Sequence, residues 1–225
     1  MQSVACAAVL AGVFGVAQAG FTVEFDGSGS PADQGFDFIV FGDTTWNNDG
    51  GSLNLTTAPV RGIWMGAFQN SPLLPPDNVE GSYLKLDVKF SADAVEWSTY
   101  INDGTHSANL SFDADGFRYN IAGQSIRVDT DLTDEFSTFE ILLKGGRVSY
   151  VFDGQVLANR ALAGEFATAK IMLIGDGSGT TPTGTGSMSI DNVTWIGGPD
   201  FDAIPTPGVL GSLAFAGVLA GRRKR

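Results

Sequence analysis

The sequence predicts an all-β fold, a sandwich of short strands, and three observations carry that expectation. Apolar and polar residues alternate at a period of two along much of the chain, while a helical repeat is scarce. Segments rich in Gly, Asp and Asn break the alternation about every ten residues, the spacing at which the short strands of a sandwich are joined. Gly145-Gly146, between two alternating runs, has the composition of a two-residue hairpin loop, which needs positive φ at both positions.

Taken in order, the expected strands are Phe21–Phe25, Phe36–Phe41, Ser52–Thr56 and Ile63–Phe68, followed by Ser82–Phe90. The last of these is the clearest, with Leu84, Leu86, Val88 and Phe90 on one side and Tyr83, Lys85, Asp87 and Lys89 on the other. Glu96–Ile101, Ala108–Phe112, Gly116–Asn120 and Gln124–Val128 come next, and Ala169–Gly175 and Ser187–Trp195 close the series. Within Ser137 to Asn159 the turn fixes the register. A loop at Gly145-Gly146 pairs Lys144 with Arg147, so Leu143 faces Val148, Ile141 faces Tyr150 and Phe139 faces Phe152. Asp153-Gly154 makes a second tight turn and is expected to place Leu157 opposite Tyr150.

The stretch FEILLKGGRVSYVFDGQVLANRAL resembles the strand–turn–strand–DG–strand core of laminin-G-like and concanavalin A-like lectin/glucanase domains. MSIDNVTWIG, Met188 to Gly197, is similar to the last strand of such domains. The resemblance implies an antiparallel jelly roll over 20–198, with one sheet often curved. Trp97 and Trp195 are expected in its core.

Both ends of the chain read as export labels. Residues Val4 to Val16 are small and apolar, and Ala17-Gln18-Ala19 fits an A-x-A cleavage site, so 1–19 is expected to be a signal peptide cut before Gly20. Cys6, the one cysteine, would leave with it. After a linker at 199–204, residues 205–225 divide into Pro205-Thr206-Pro207, an apolar run at 208–221, and the basic end Arg222, Arg223, Lys224, Arg225. This layout resembles the PEP-CTERM sorting signal of bacterial surface proteins, although Thr206 stands where the usual glutamate would be. The resemblance implies an exosortase-type membrane protease as partner and cleavage near Pro205–Pro207. The apolar run would make a helix of about 21 Å, short of the roughly 30 Å hydrocarbon core, which suits transient insertion with the cations held in the cytoplasm. The expected location is the cell-envelope surface or the extracellular matrix.

Between the labels, nine Lys and Arg face 25 Asp and Glu, a formal charge near −16. Such a surface repels nucleic acid and anionic headgroups. Few motifs suggest chemistry. Lectin-like glucanases use carboxylates spaced E-x-D-x-x-E, because retaining hydrolysis needs an acid and a nucleophile about 5–5.5 Å apart; that spacing does not occur here. Glu24 and Asp26 share a strand face without a third acid, and His106 is the single histidine. Zinc sites and nucleophilic triads therefore lack their usual parts, and no phosphate-binding glycine motif occurs. Two Asp-rich loops could supply oxygen ligands to calcium: Asp113 with Asp115, and Asp129 with Asp131 and Asp134. Turn chemistry accounts for the same residues. For carbohydrate, Trp46 beside Asn47 and Asp49 leads, followed by Trp64 and Tyr100.

The sequence thus points to an exported protein that is not an enzyme, a structural or adhesive β-sandwich. An exopolysaccharide-binding module, with calcium as its candidate cofactor, is the alternative, and a glycoside hydrolase is a remote third.

Overall fold

The computed structural model describes residues 21–57, 62–67, 73, 81–121, 123–162, 170–176 and 186–197. In chain order the strands are β1 (Phe21–Phe25), β2 (Asp37–Val40), β3 (Thr45–Asn48), β4 (Leu53–Thr56), β5 (Ile63–Ala67), β6 (Ser82–Phe90), β7 (Trp97–Asp103) and β8 (Ser107–Asp113). They continue with β9 (Gly116–Ile121), β10 (Gln124–Asp129), β11 (Ser137–Lys144), β12 (Arg147–Phe152), β13 (Gln155–Ala161), β14 (Lys170–Asp176) and β15 (Ser187–Gly197). A single 3-10 turn, Pro31–Gln34, follows β1. Both export labels, 1–19 and 205–225, lie outside the described residues. No helix among the described residues is long and apolar enough to cross a membrane.

Two antiparallel sheets stack face to face, the architecture the alternation predicts. One has eight strands in the order β13-β12-β11-β6-β15-β4-β3, with β1 also pairing β15. The other has seven, in the order β10-β9-β8-β7-β14-β5-β2. The long β15 pairs with β6 on one side, and on the other its first half takes β4 and its second half β1. A register shift between Ile190 and Asn192 marks the seam. Every internal strand of each sheet therefore has its ladder satisfied on both sides, and the open edges are few.

The meander around Gly145-Gly146 has the register its turn dictates. Leu143 pairs Val148, Ile141 pairs Tyr150 and Phe139 pairs Phe152, and both glycines adopt positive φ, 54° and 69°. One expectation needs correction. Tyr150 pairs Ala158, and Val151 pairs Val156, so Leu157 falls in a bulge and faces no partner across the ladder. A bulge sets two residues against one, which the count from the Asp153-Gly154 turn does not anticipate. Leu157 still packs against the core. The strand β3 is a second departure, absent from the expected strands because TWNN lacks alternation; the edge of a sheet tolerates such a sequence.

Between the sheets the core is aromatic. Phe112 and Phe139 approach at 4.9 Å between centroids, as do Phe117 and Phe139, both edge-on. Edge-on and offset rings at such distances contribute beyond their buried area. Trp97 and Trp195 are fully buried, as expected. Trp195 Nε1 donates to Ser82 Oγ at 2.7 Å, whereas Trp97 Nε1 meets no acceptor among the described residues. Burial also holds the Tyr150 hydroxyl protonated, its pKa pushed up to about 12.

Candidate functional site

Pleating assigns alternate residues of each strand to the core and to the outside. In the seven-stranded sheet the core takes Trp97, Thr99 and Ile101 of β7 and Ala108, Leu110 and Phe112 of β8. Ser98, Tyr100, Asn109 and Ser111 are consequently turned outward. Together with Trp64 of β5, Ile171 and Leu173 of β14, and Arg118 of β9, they line an open trough of about 1050 Å³. Glu96, Val95 and Asp113 stand at one end.

The pairing sets one row across this face: Trp64, Gly175, Ser98, Ser111, Arg118. A neighbouring row runs Gly66, Leu173, Tyr100, Asn109. The two glycines matter because neighbouring backbone fills the space a side chain would need. A Cβ on Gly175 would lie 2.1 Å from Ile63 O, and one on Gly66 2.3 Å from Met172 O. Strand β14 therefore places no side chain between Trp64 and Ser98. Polar groups are oriented by neighbours: Asn120 Nδ2 donates to Asn109 Oδ1 at 3.0 Å, and Asn102 Nδ2 reaches the Tyr100 hydroxyl at 3.4 Å.

Two carboxylates border the trough. The Arg127 guanidinium holds Asp113 bidentately, with Nη2 at 2.6 Å from Oδ1 and Nη1 on Oδ2. Hydrogen bonding to Arg127 holds the Asp113 carboxyl below the usual carboxylate range, and Arg118 adds a weaker pull at 3.5 Å. Because the folded pKa is depressed, the pair's stabilisation is present above the unfolded value and lost as pH falls through the folded one. Asp113→Asn should lower the melting temperature at neutral pH and flatten its fall below about pH 4. Parallel acid dependence of the two melting curves would contradict that coupling. Glu96, by contrast, is exposed and carries φ 60°, a left-handed backbone in a residue with a side chain. Such outliers cluster at functional sites.

The trough brings Trp64 and Tyr100 together and leaves the other carbohydrate candidates elsewhere. Trp46, Asn47 and Asp49 belong to β3 and the loop after it, on the edge of the opposite sheet. Trp46 sits edge-on to Phe38 at 5.4 Å, while Asn47 and Asp49 accept from the Asn54 amide on the outer face. Adjacent strand residues point to opposite faces, so Trp46 and Asn47 do not form one platform. The aspartate loops are largely engaged too. Asp129 accepts from Arg127 Nε at 2.9 Å, and Asp131 accepts from Thr133 N and Oγ1 at 2.8 and 2.7 Å. The Asp115 N–H donates to Asp113 Oδ1 at 3.1 Å, and Asp134 is exposed. Among the described residues no three His, Cys, Asp or Glu side chains are grouped for a metal ion. His106 is half-buried, with Nδ1 3.7 Å from Asp103. Sequence reasoning missed Ser98, Asn109, Ser111 and Arg118. Their outward phase was readable, but the adjacency of β5, β14 and β7, distant in sequence, was not.

No protein-family model matches the chain, and no curated protein matches it. Solved structures do. An apo Crh5 transglycosylase aligns with TM-score 0.60 and 13% identity, covering 79% of this chain and 84% of that one. A carbohydrate esterase from the Shiga toxin-encoding bacteriophage phi24B aligns with TM-score 0.54 and 18% identity, covering 80% and 100%. A native glycosidic hydrolase aligns with TM-score 0.51 and 13% identity, covering 78% and 94%. The expectation that the chain is not an enzyme is thereby corrected: sandwiches of this shape include proteins named for glycosidic hydrolysis and transglycosylation, so one missing carboxylate spacing does not exclude catalysis. At these identities the likeness shows the fold alone, a two-sheet antiparallel jelly roll.

Proposed function

We propose that this protein is a carbohydrate-active module that holds an extended polysaccharide along the outer trough of its seven-stranded sheet. The observation that carries the reading is the juxtaposition of Trp64 and Tyr100 with outward Ser98, Ser111 and Asn109 on one open face. Aromatic rings offer apolar faces to the C–H side of a pyranose, and the hydroxyls and amide bond its hydroxyl groups. An open trough suits a polymer, which can enter from the side. The export labels favour display on the cell envelope or release into the matrix after an exosortase-type protease removes the tail. Polysaccharide is the ligand class available there.

A second reading, cleavage or transfer of a glycosidic bond, is favoured by Glu96, whose left-handed backbone places a carboxylate at the trough's end. Glycan-array binding by the full chain, followed by reducing-end release from each polysaccharide retained, tests both. Retention of at least one polysaccharide is expected. If bonds are broken, Glu96→Gln should abolish release and spare retention. Retention of no glycan would overturn the first reading, and undiminished release by Glu96→Gln the second.

A further inference from the structure

We propose that the trough prefers an acidic polysaccharide, one carrying sugar carboxylates, and that Arg118 is the residue that reads the charge. The inference rests on the trough being a glycan site and adds the class of glycan. In a domain with nine basic residues against 25 acidic ones, two arginines stand directly opposite one another on this face, Arg118 of β9 and Arg127 of β10. Like charges so placed are destabilising, and their neighbouring aspartates do not serve them equally. Arg127 takes both oxygens of Asp113 and also Asp129 Oδ1. Asp113 Oδ1 accepts the Asp115 N–H as well. Arg118 is left with a contact of 3.5 Å to Asp113 Oδ2, and its side chain is 51% exposed.

That guanidinium ends the row that begins at Trp64. Four strand spacings separate the two, roughly 19 Å at about 4.8 Å each, with Ser98 and Ser111 between them. A polymer stacked on the indole and laid across the strands would bring a later sugar to Arg118. Arginine's planar fork matches a carboxylate bidentately, and Ser111 on the adjacent strand is the cross-strand partner of Arg118. The Asp113 carboxylate beside Arg118 is already engaged by both Arg127 nitrogens, and the Arg118 side chain remains half exposed to an acidic sugar.

The test uses the full chain with oligomers of galacturonan and alginate, each as the free acid and as the methyl ester, at physiological ionic strength. The free acid of at least one should bind on the order of tenfold tighter than its ester. Arg118→Gln should remove that difference by weakening the free acid far more than the ester, a split that a merely structural role would not produce. Equal affinity for acid and ester, or a preference that survives in Arg118→Gln, overturns this proposal while the trough reading stands. Binding of neither form of either polymer, with a neutral glycan retained, likewise overturns only the acidic preference. If no glycan is retained, both readings fail.

Discussion

Ile141→Asp is expected to leave the protein without a cooperative thermal transition. Ile141 is fully buried on β11 and pairs Leu84 of β6 and Tyr150 of β12, so its side chain sits in the middle of the inner face of the eight-stranded sheet. A carboxylate there would be ionised without a partner or protonated among hydrocarbon, and the lost apolar burial adds about 1.5–3 kcal/mol. The combined cost approaches the 5–15 kcal/mol that stabilises a typical domain. Leu142→Asp, one residue along, points outward and is only half-buried. It should keep a sharp melt at a modestly lower temperature. Two equal melts by circular dichroism would contradict the register, because a slip of one residue exchanges the two faces.

Trp64→Ala should weaken binding of a retained glycan about thirtyfold, the equivalent of about 2 kcal/mol. Truncation removes the flat apolar surface at one end of the trough, where β14 places no side chain between it and Ser98. Tyr100→Ala acts on the adjacent row and shares the ligand, so the double variant is expected to lose more than the single variant but not by simple addition. Trp46→Ala serves as the comparison. It is an exposed tryptophan too, 39% accessible, but it packs edge-on against Phe38 at the sandwich edge. Calorimetric titration should find its affinity unchanged. A large loss with Trp46→Ala and none with Trp64→Ala would move the site to the β3 edge.

The fold was readable because its strongest rules are local. The alternation expected of Ser82–Phe90 reappears in β6 from Leu84 to Phe90, with Tyr83 buried as well, and the Gly145-Gly146 turn fixed three cross-strand pairs from composition alone. Reading failed where the chain departs from regular pleating. The bulge at Leu157 and the polar edge strand at Thr45–Asn48 leave no periodic trace. The site was half legible. Trp64 and Tyr100 are candidates as aromatic residues, but Trp46 leads them in the sequence because Asn47 and Asp49 stand beside it in the chain. On a strand those neighbours face the other way. Arg118 gave no signal at all: its meaning comes from pairing with Arg127 and from the bidentate hold of Arg127 on Asp113. Sequence distance hides such relations between strands.

Backbone-amide chemical-shift changes on adding a retained oligosaccharide to the full chain test the central claim most directly. The trough account predicts changes concentrated on β5, β7, β8 and β14, led by Trp64, Ser98, Tyr100 and Ser111 and reaching Arg118. Changes confined to Trp46, Asn47 and Asp49, or spread over the outer face of the eight-stranded sheet, would contradict it.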